Sequence, residues 1–282
     1  MTVRNIILHA HIFKNAGSTF DWSLKRNFSA GFVDHRDDLK MINGKLNYLR
    51  RFLEDNPDTV AVSSHRVHFR VRDVDGFRFF PVYFLRDPIE RVRSVYNFEK
   101  KQIGVDTKGS RMAKELSFKD FIAWYMRPNS PATIRNAQTI YCAGTGLQET
   151  AKSIDLALEL LKHNRMTGIV DMYDETMVLF EEALRHAFPA IDLSYVMRNV
   201  TQDRTDISPD EKRAKILDEL GEVGKTLMTH NQNDITLYNR GRDLLQQRVA
   251  GVSNFEAKLH DFRERCRARI ASSAHKITEA KS

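Results

Sequence analysis

The sequence predicts an α/β fold built on a mainly parallel sheet. Three observations carry that prediction. Residues 3–13 (VRNIILHAHIF) form a nearly continuous apolar, β-rich run. Two shorter runs of the same kind follow, VAVS at 60–63 and VYFL at 82–85. Amphipathic segments separate and follow these runs. Strands alternating with helices give parallel sheets, because a parallel partner has to be reached by a crossover connection.

Taken in order, residues 3–13 read as a strand buried on both faces. The strand runs into a polar, small-residue turn, and FDWSLKRNF (20–28) continues as helix. In residues 44–55, Leu46, Leu49, Phe52 and Leu53 share one helical stripe, which Asn56-Pro57 ends. VAVS is the second strand. VYFL is the third, starting just after Pro81, since proline inside a strand forfeits a ladder hydrogen bond. Asp87-Pro88 is an N-cap followed by proline at the first helical position, opening IERVRSVYNFEKK (89–101). Ser117 opens FKDFIAWYM (118–126), whose Trp124 and Tyr125 read as core in preference to a sugar-stacking platform. Residues 151–163 are amphipathic. TGIVDMY (167–173) is a fourth strand, and residues 175–188 are helical. Ser208-Pro209-Asp210-Glu211 has the form of a capping box that opens a helix to about Leu220, and residues 233–249 continue helically. The economical division is one domain over 1–250 with helical insertions. A basic tail over 251–282 is then a helix or a flexible arm.

Composition narrows the function classes. Of 282 residues, 41% are apolar, enough to offset chain entropy and exclude a disordered chain. No apolar run is long enough to span a bilayer, and the N-terminus lacks the features of a signal peptide, so a cytoplasmic protein is expected. Cys142 and Cys266 are too far apart to suggest zinc and read as reduced thiols. The net charge of +7 is concentrated: residues 240–282 carry +5 and residues 65–101 carry +4. Such a field favours anionic ligands. Arg263, Arg265, Arg267 and Arg269 alternate in the tail, a pattern with which a flexible arm tracks a polyanion.

Two segments carry chemistry. Lys14-Asn15-Ala16-Gly17-Ser18-Thr19 joins the first strand to a helix, where backbone N–H groups converge and favour an anion. Gly17 lets the backbone approach, Ser18 and Thr19 add hydroxyls, and Lys14 adds a full charge. The spacing is not GxxxxGK[ST]. Arg86 falls at the C-terminal end of a strand, where open α/β sheets place ligands. Ser94 lies two turns into the next helix with Arg91 on its face, suiting a second phosphate.

Together these segments resemble the sulfotransferase superfamily. HIFKNAGST is similar to its 5′-phosphosulfate loop and FLRDPIERVRSVYNF to its 3′-phosphate motif. Ser64-His65-Arg66-Val67-His68-Phe69 is similar to a Gly-His-x-x-Phe segment of the carbohydrate branch, which includes heparan sulfate 2-O-sulfotransferases, with Phe69 standing one position later than in that segment. NAQTIYCAG (136–144), GIVDMYDETMVLF (168–180), Arg198-Asn199-Val200 and NDITLY (233–238) follow that branch's order. Phe13 stands where proline is usual, Ser64 where glycine is usual, and Asp171 where threonine is frequent.

The resemblance implies a P-loop-like central parallel sheet flanked by helices, with a helical C-terminal portion. It implies transfer of a sulfuryl group from 3′-phosphoadenosine 5′-phosphosulfate (PAPS) to an acceptor hydroxyl, releasing adenosine 3′,5′-bisphosphate. Lys14, Asn15, Ala16, Gly17, Ser18 and Thr19 would hold the phosphosulfate, and Arg86 and Ser94 the 3′-phosphate. Lys14 would also stabilise the leaving phosphate. His65 would be the general base, with His68 as second choice. No metal is required, and the expected acceptor is a carbohydrate, including an anionic one. Two other classes compete: a P-loop-like nucleotide or small-molecule kinase, which calls for a GK[ST] turn that is absent, and a nonenzymatic nucleic-acid-binding protein, for which no recognition module is evident.

Overall fold

A computed structural model describes residues 3–128, 130–196 and 207–279. Its strands are β1 (Arg4–Ala10), β2 (Phe32–Asp34), β3 (Ala61–Ser64), β4 (Phe77–Leu85) and β5 (Thr167–Ile169). All pair in parallel, in the order β2-β3-β1-β4-β5. The helices in chain order are α1 (Gly17–Phe28), α2 (Asp38–Asp55), α3 (Pro88–Lys101), α4 (Lys108–Glu115), α5 (Phe118–Tyr125) and α6 (Ala137–Ala143). They continue with α7 (Ser153–His163), α8 (Tyr173–Leu184), α9 (Pro209–Leu220), α10 (Glu222–His230), α11 (Gln232–Ala250) and α12 (Phe255–Glu279). The expected class is the one adopted: a central parallel sheet flanked by helices, with a helical C-terminal part.

The chain moves outward from β1 to β2, returns to β3 beside β1, then crosses to β4 on the other side of β1. This reversal opens a crevice at the C-terminal end of β1, flanked by the ends of β3 and β4. Alternation along β1 divides the interior. Ile6 and Leu8 pack with Met41, Leu49 and Leu53 of α2 and with Leu237 and Leu245 of α11. Ile7 faces the other way, onto Phe20 and Leu24 of α1 and Phe180 and Leu184 of α8. A third core joins Ile89, Val92 and Val95 of α3 to α5, and it buries Trp124 and Tyr125 as the sequence suggested. Cys142 and Cys266 are free thiols. Among the described residues no helix is long and apolar enough to cross a membrane.

Besides the unexpected β2, three features depart from expectation. Pro81 lies inside β4, opposite Leu8, not at the strand's start. It is tolerated because its missing donor faces the β5 side before β5 begins. The first backbone bond there is Tyr83 N–H to the Met166 carbonyl, while Asn164 Nδ2 donates to the Pro81 carbonyl at 2.9 Å. β5 also stops at Ile169, giving way to a 3-10 turn over residues 170–172. The third is the packing of the tail, which takes the helical form of the two expected, as α12, but is not a solvated arm. Phe255, Leu259 and Phe262, at helical spacing, enter the second core. Its four alternating arginines are paired: Arg263 with Asp174 and Glu175, Arg265 with Glu181, Arg267 with Glu264, and Arg269 with Asp192.

Candidate functional site

The 14–19 turn is a tight left-handed bend. Lys14 (φ 66°) and Ala16 (φ 60°) both sit at positive φ, which costs non-glycine residues energy and concentrates at functional turns. The bend leaves the N–H groups of Ala16, Gly17 and Ser18 without hydrogen bonds to the described residues, at the positive end of α1. Gly17 contributes differently from the sequence reading. A Cβ there would lie 2.2 Å from His11 Nε2, so the glycine makes room for an imidazole ring. Ser18 is exposed and Thr19 buried.

Buried struts hold the turn. Asn15 Nδ2 donates to the Phe84 carbonyl at 2.6 Å and to Gln138 Oε1 at 2.7 Å. The same Gln138 oxygen accepts the Arg86 N–H, and Gln138 Nε2 donates to the Arg86 carbonyl, both at 2.9 Å. One buried glutamine on α6 thus ties the turn to the end of β4. Asp234 of α11 anchors that helix in turn, accepting from the backbone N–H groups of Gln138 (3.1 Å) and Thr139 (2.7 Å). Arg91 corrects the expectation that it faces a phosphate. It is buried, with Nε donating to the Phe13 carbonyl at 3.0 Å and Nη1 to the Thr133 carbonyl at 2.9 Å. Gln138 and Asp234 escaped sequence reasoning because their partners lie 52 to 123 residues away.

Two cations face the crevice. The Lys14 ammonium stands 4.4 Å from the centre of the Phe98 ring, and burial, Arg86 and Lys101 bring it down to about 8. Arg86 reaches the Lys14 carbonyl (3.4 Å) and Glu90 (3.5 Å) only loosely, and its Nε is buried without a partner. Burial and Asp171 push the Glu90 carboxyl up. Ser94 is half-buried and its hydroxyl bonds none of the described residues. Arg198, Asn199 and Val200 lie outside the described residues.

Histidines line the other wall. His65, just past β3, donates Nδ1–H to the His11 carbonyl at 2.7 Å, so its Nε2 carries the free lone pair. Burial and His11 lower it to about 4. His68 instead lies against Tyr141, with ring centres 4.2 Å apart and Nδ1 buried without a partner, as a packing residue does. The resemblance requires no metal, yet His9, His11 and Asp21 converge. Their geometry suits hydrogen bonds better than an ion. The His9 and His11 rings stack only 20° from parallel, and each Nδ1 meets its own Asp21 oxygen, at 2.7 and 3.1 Å. His9 is sealed between Phe20 and Phe84.

No family model matches the chain. It is 30% identical over 256 residues to an uncharacterized protein of Archaeoglobus fulgidus, with 86% of this chain and 98% of that protein covered. The chain belongs to that protein's family. The shared length takes in nearly all of the archaeal protein.

Proposed function

We propose that this protein is a sulfotransferase moving a sulfuryl group from PAPS to an acceptor hydroxyl, with a carbohydrate as the expected acceptor. One observation carries the reading. Lys14 after β1, His65 after β3 and Arg86 after β4 stand at the C-terminal ends of three adjacent parallel strands, beside a turn with open N–H donors. In this scheme Lys14 and the turn hold the phosphosulfate, and Arg86 with Ser94 holds the 3′-phosphate. The acceptor oxygen attacks sulfur in line while the sulfur–oxygen bond to the phosphate breaks. The bonding pair leaves on the phosphate beside Lys14, and the acceptor proton passes to His65 Nε2.

Thermal shift against adenosine 3′,5′-bisphosphate, AMP, ATP with Mg²⁺ and an oligonucleotide tests the reading. The bisphosphate is expected to stabilise the protein most, by about 2.7 kcal/mol at a hundred times its dissociation constant. Arg86→Ala is expected to weaken bisphosphate binding more than tenfold, since a charged hydrogen bond is worth about 1.5–3 kcal/mol. Equal affinity for AMP and the bisphosphate would remove the assignment, and a preference for ATP with Mg²⁺ would favour a kinase.

Lys14 sets a pH dependence. Its folded-state value of about 8 means the ammonium is present below pH 8 and lost above it, whereas an anion binds the charged form. Bisphosphate affinity should therefore fall as pH rises through 8, approaching tenfold per unit. Calorimetric titrations at pH 7 and 9 check this, and Lys14→Ala should flatten the dependence.

A further inference from the structure

We propose that Asp21, His11 and His65 form one coupled acid–base unit, in which the Asp21 carboxylate, acting through the His11 ring, sets the protonation of the imidazole that takes the acceptor's proton. The catalytic half of this statement rests on the function proposed above; the coupling stands on geometry alone. Asp21 is on α1, and its two oxygens meet His9 Nδ1 at 2.7 Å and His11 Nδ1 at 3.1 Å. An ionised carboxylate only accepts, so both Nδ1 atoms carry hydrogen and the His11 Nε2 lone pair is left free. The His11 carbonyl also only accepts, and it fixes His65 in the same tautomer. The two rings then lie against each other, centres 4.0 Å apart and tilted by 36°.

Two imidazoles that close cannot both hold a positive charge cheaply, so they take up one proton as a pair. Asp21 supplies the opposing charge. Burial pushes its carboxyl up, but His9 and His11 outweigh that and hold it well below the usual carboxylate range. Asp21 also acts on His65 directly; the other ionisable groups facing the pair are His9 and Asp34 toward His11, and Arg36 toward His65. During transfer the acceptor O–H proton moves to His65 Nε2 as the new oxygen–sulfur bond forms and the electron pair of the broken bond leaves on the phosphate. The imidazolium keeps its Nδ1–H on the His11 carbonyl and lies against a ring backed by Asp21. His11 and Asp21 are thus positioning residues. His9, shut between two phenylalanines, occupies the second oxygen and keeps the carboxylate aligned.

The test is an NMR titration of ligand-free protein carrying ¹⁵N-labelled histidine. Wild-type His11 and His65 should both report hydrogen on Nδ1. His11→Gln keeps the backbone carbonyl but removes the competing ring, and should raise the His65 midpoint by roughly a pH unit. Asp21→Asn removes the opposing charge and should lower that midpoint. Opposite shifts at His65 establish the coupling; a midpoint that ignores His11→Gln overturns it, and this arm decides alone where Asp21→Asn does not fold. With the whole enzyme, Asp21→Asn should cut kcat by about a hundredfold, leave the KM for PAPS unchanged, and move the acid limb of the pH–rate profile in step with the NMR midpoint. A stability loss with an unmoved profile would make Asp21 merely structural. Absence of sulfuryl transfer by the wild type to any acceptor would defeat the function reading, while the NMR shifts would still decide the coupling.

Discussion

Replacing His65 by alanine is expected to slow sulfuryl transfer by about 10²–10⁴-fold while leaving bisphosphate affinity nearly unchanged. The expectation rests on where its nitrogens point. Nδ1 is bound to the His11 carbonyl, so Nε2 is left to accept a proton. No hydrogen bond, ion pair or ring contact joins His65 to Lys14 or Arg86, the two cations assigned to the nucleotide. His68→Ala should cost far less, since that ring packs on Tyr141. Rates and bisphosphate affinities of both purified, folded variants check this. A His65→Ala enzyme with near-normal turnover would defeat the assignment, and an inactive His68→Ala enzyme beside it would transfer the role.

The largest effect on stability is expected from removing the tail. Truncation after Val249 deletes Phe255, Leu259 and Phe262 from the second core. Each is worth about 1.5–3 kcal/mol of burial. It also strips Arg265 from Glu181, a buried carboxylate whose other partners among the described residues are the Leu193 N–H and Arg185 at 3.6 Å. Breaking a buried ion pair by removing one partner costs about 3–5 kcal/mol. Together these losses rival the whole stability of an ordinary domain, about 5–15 kcal/mol. The truncated chain should show no cooperative thermal transition, and Phe262→Ala alone should cost about 3–5 kcal/mol. A melt unchanged by truncation would restore the tail to an appended arm.

What was legible in the sequence was local. β1 announced itself as an apolar run, Asp87-Pro88 as a helix start, and Ser208 with Glu211 as a capping box that forms as read. β2 was missed because an edge strand of three residues carries no periodicity. The first half of β4 is not legible, because whether a strand tolerates Pro81 depends on which neighbour its lost donor faces, and only the fold decides that. The Phe255, Leu259, Phe262 spacing fits the helical form expected of the tail, but nothing local says which core those side chains enter. At the site, the turn and Arg86 could be found because strand ends and small-residue turns leave local marks. Asp21 could not, because a carboxylate inside a helix looks solvated until the fold brings His9 of β1 and His11, just past that strand, against it.

The contact between Gly17 and His11 has a consequence for how this chain can change over generations. With the His11 ring where a Cβ at position 17 would stand, the two positions are not free to vary separately. An alanine at 17 is admissible only after the imidazole at 11 has shrunk or moved, and that first step loosens both the Asp21 contact and the ring pair with His65. Drift along either axis alone passes through a damaged intermediate. Residues 11 and 17 thus behave as a single inherited character, and relatives that preserve this chemistry should carry both or have abandoned both.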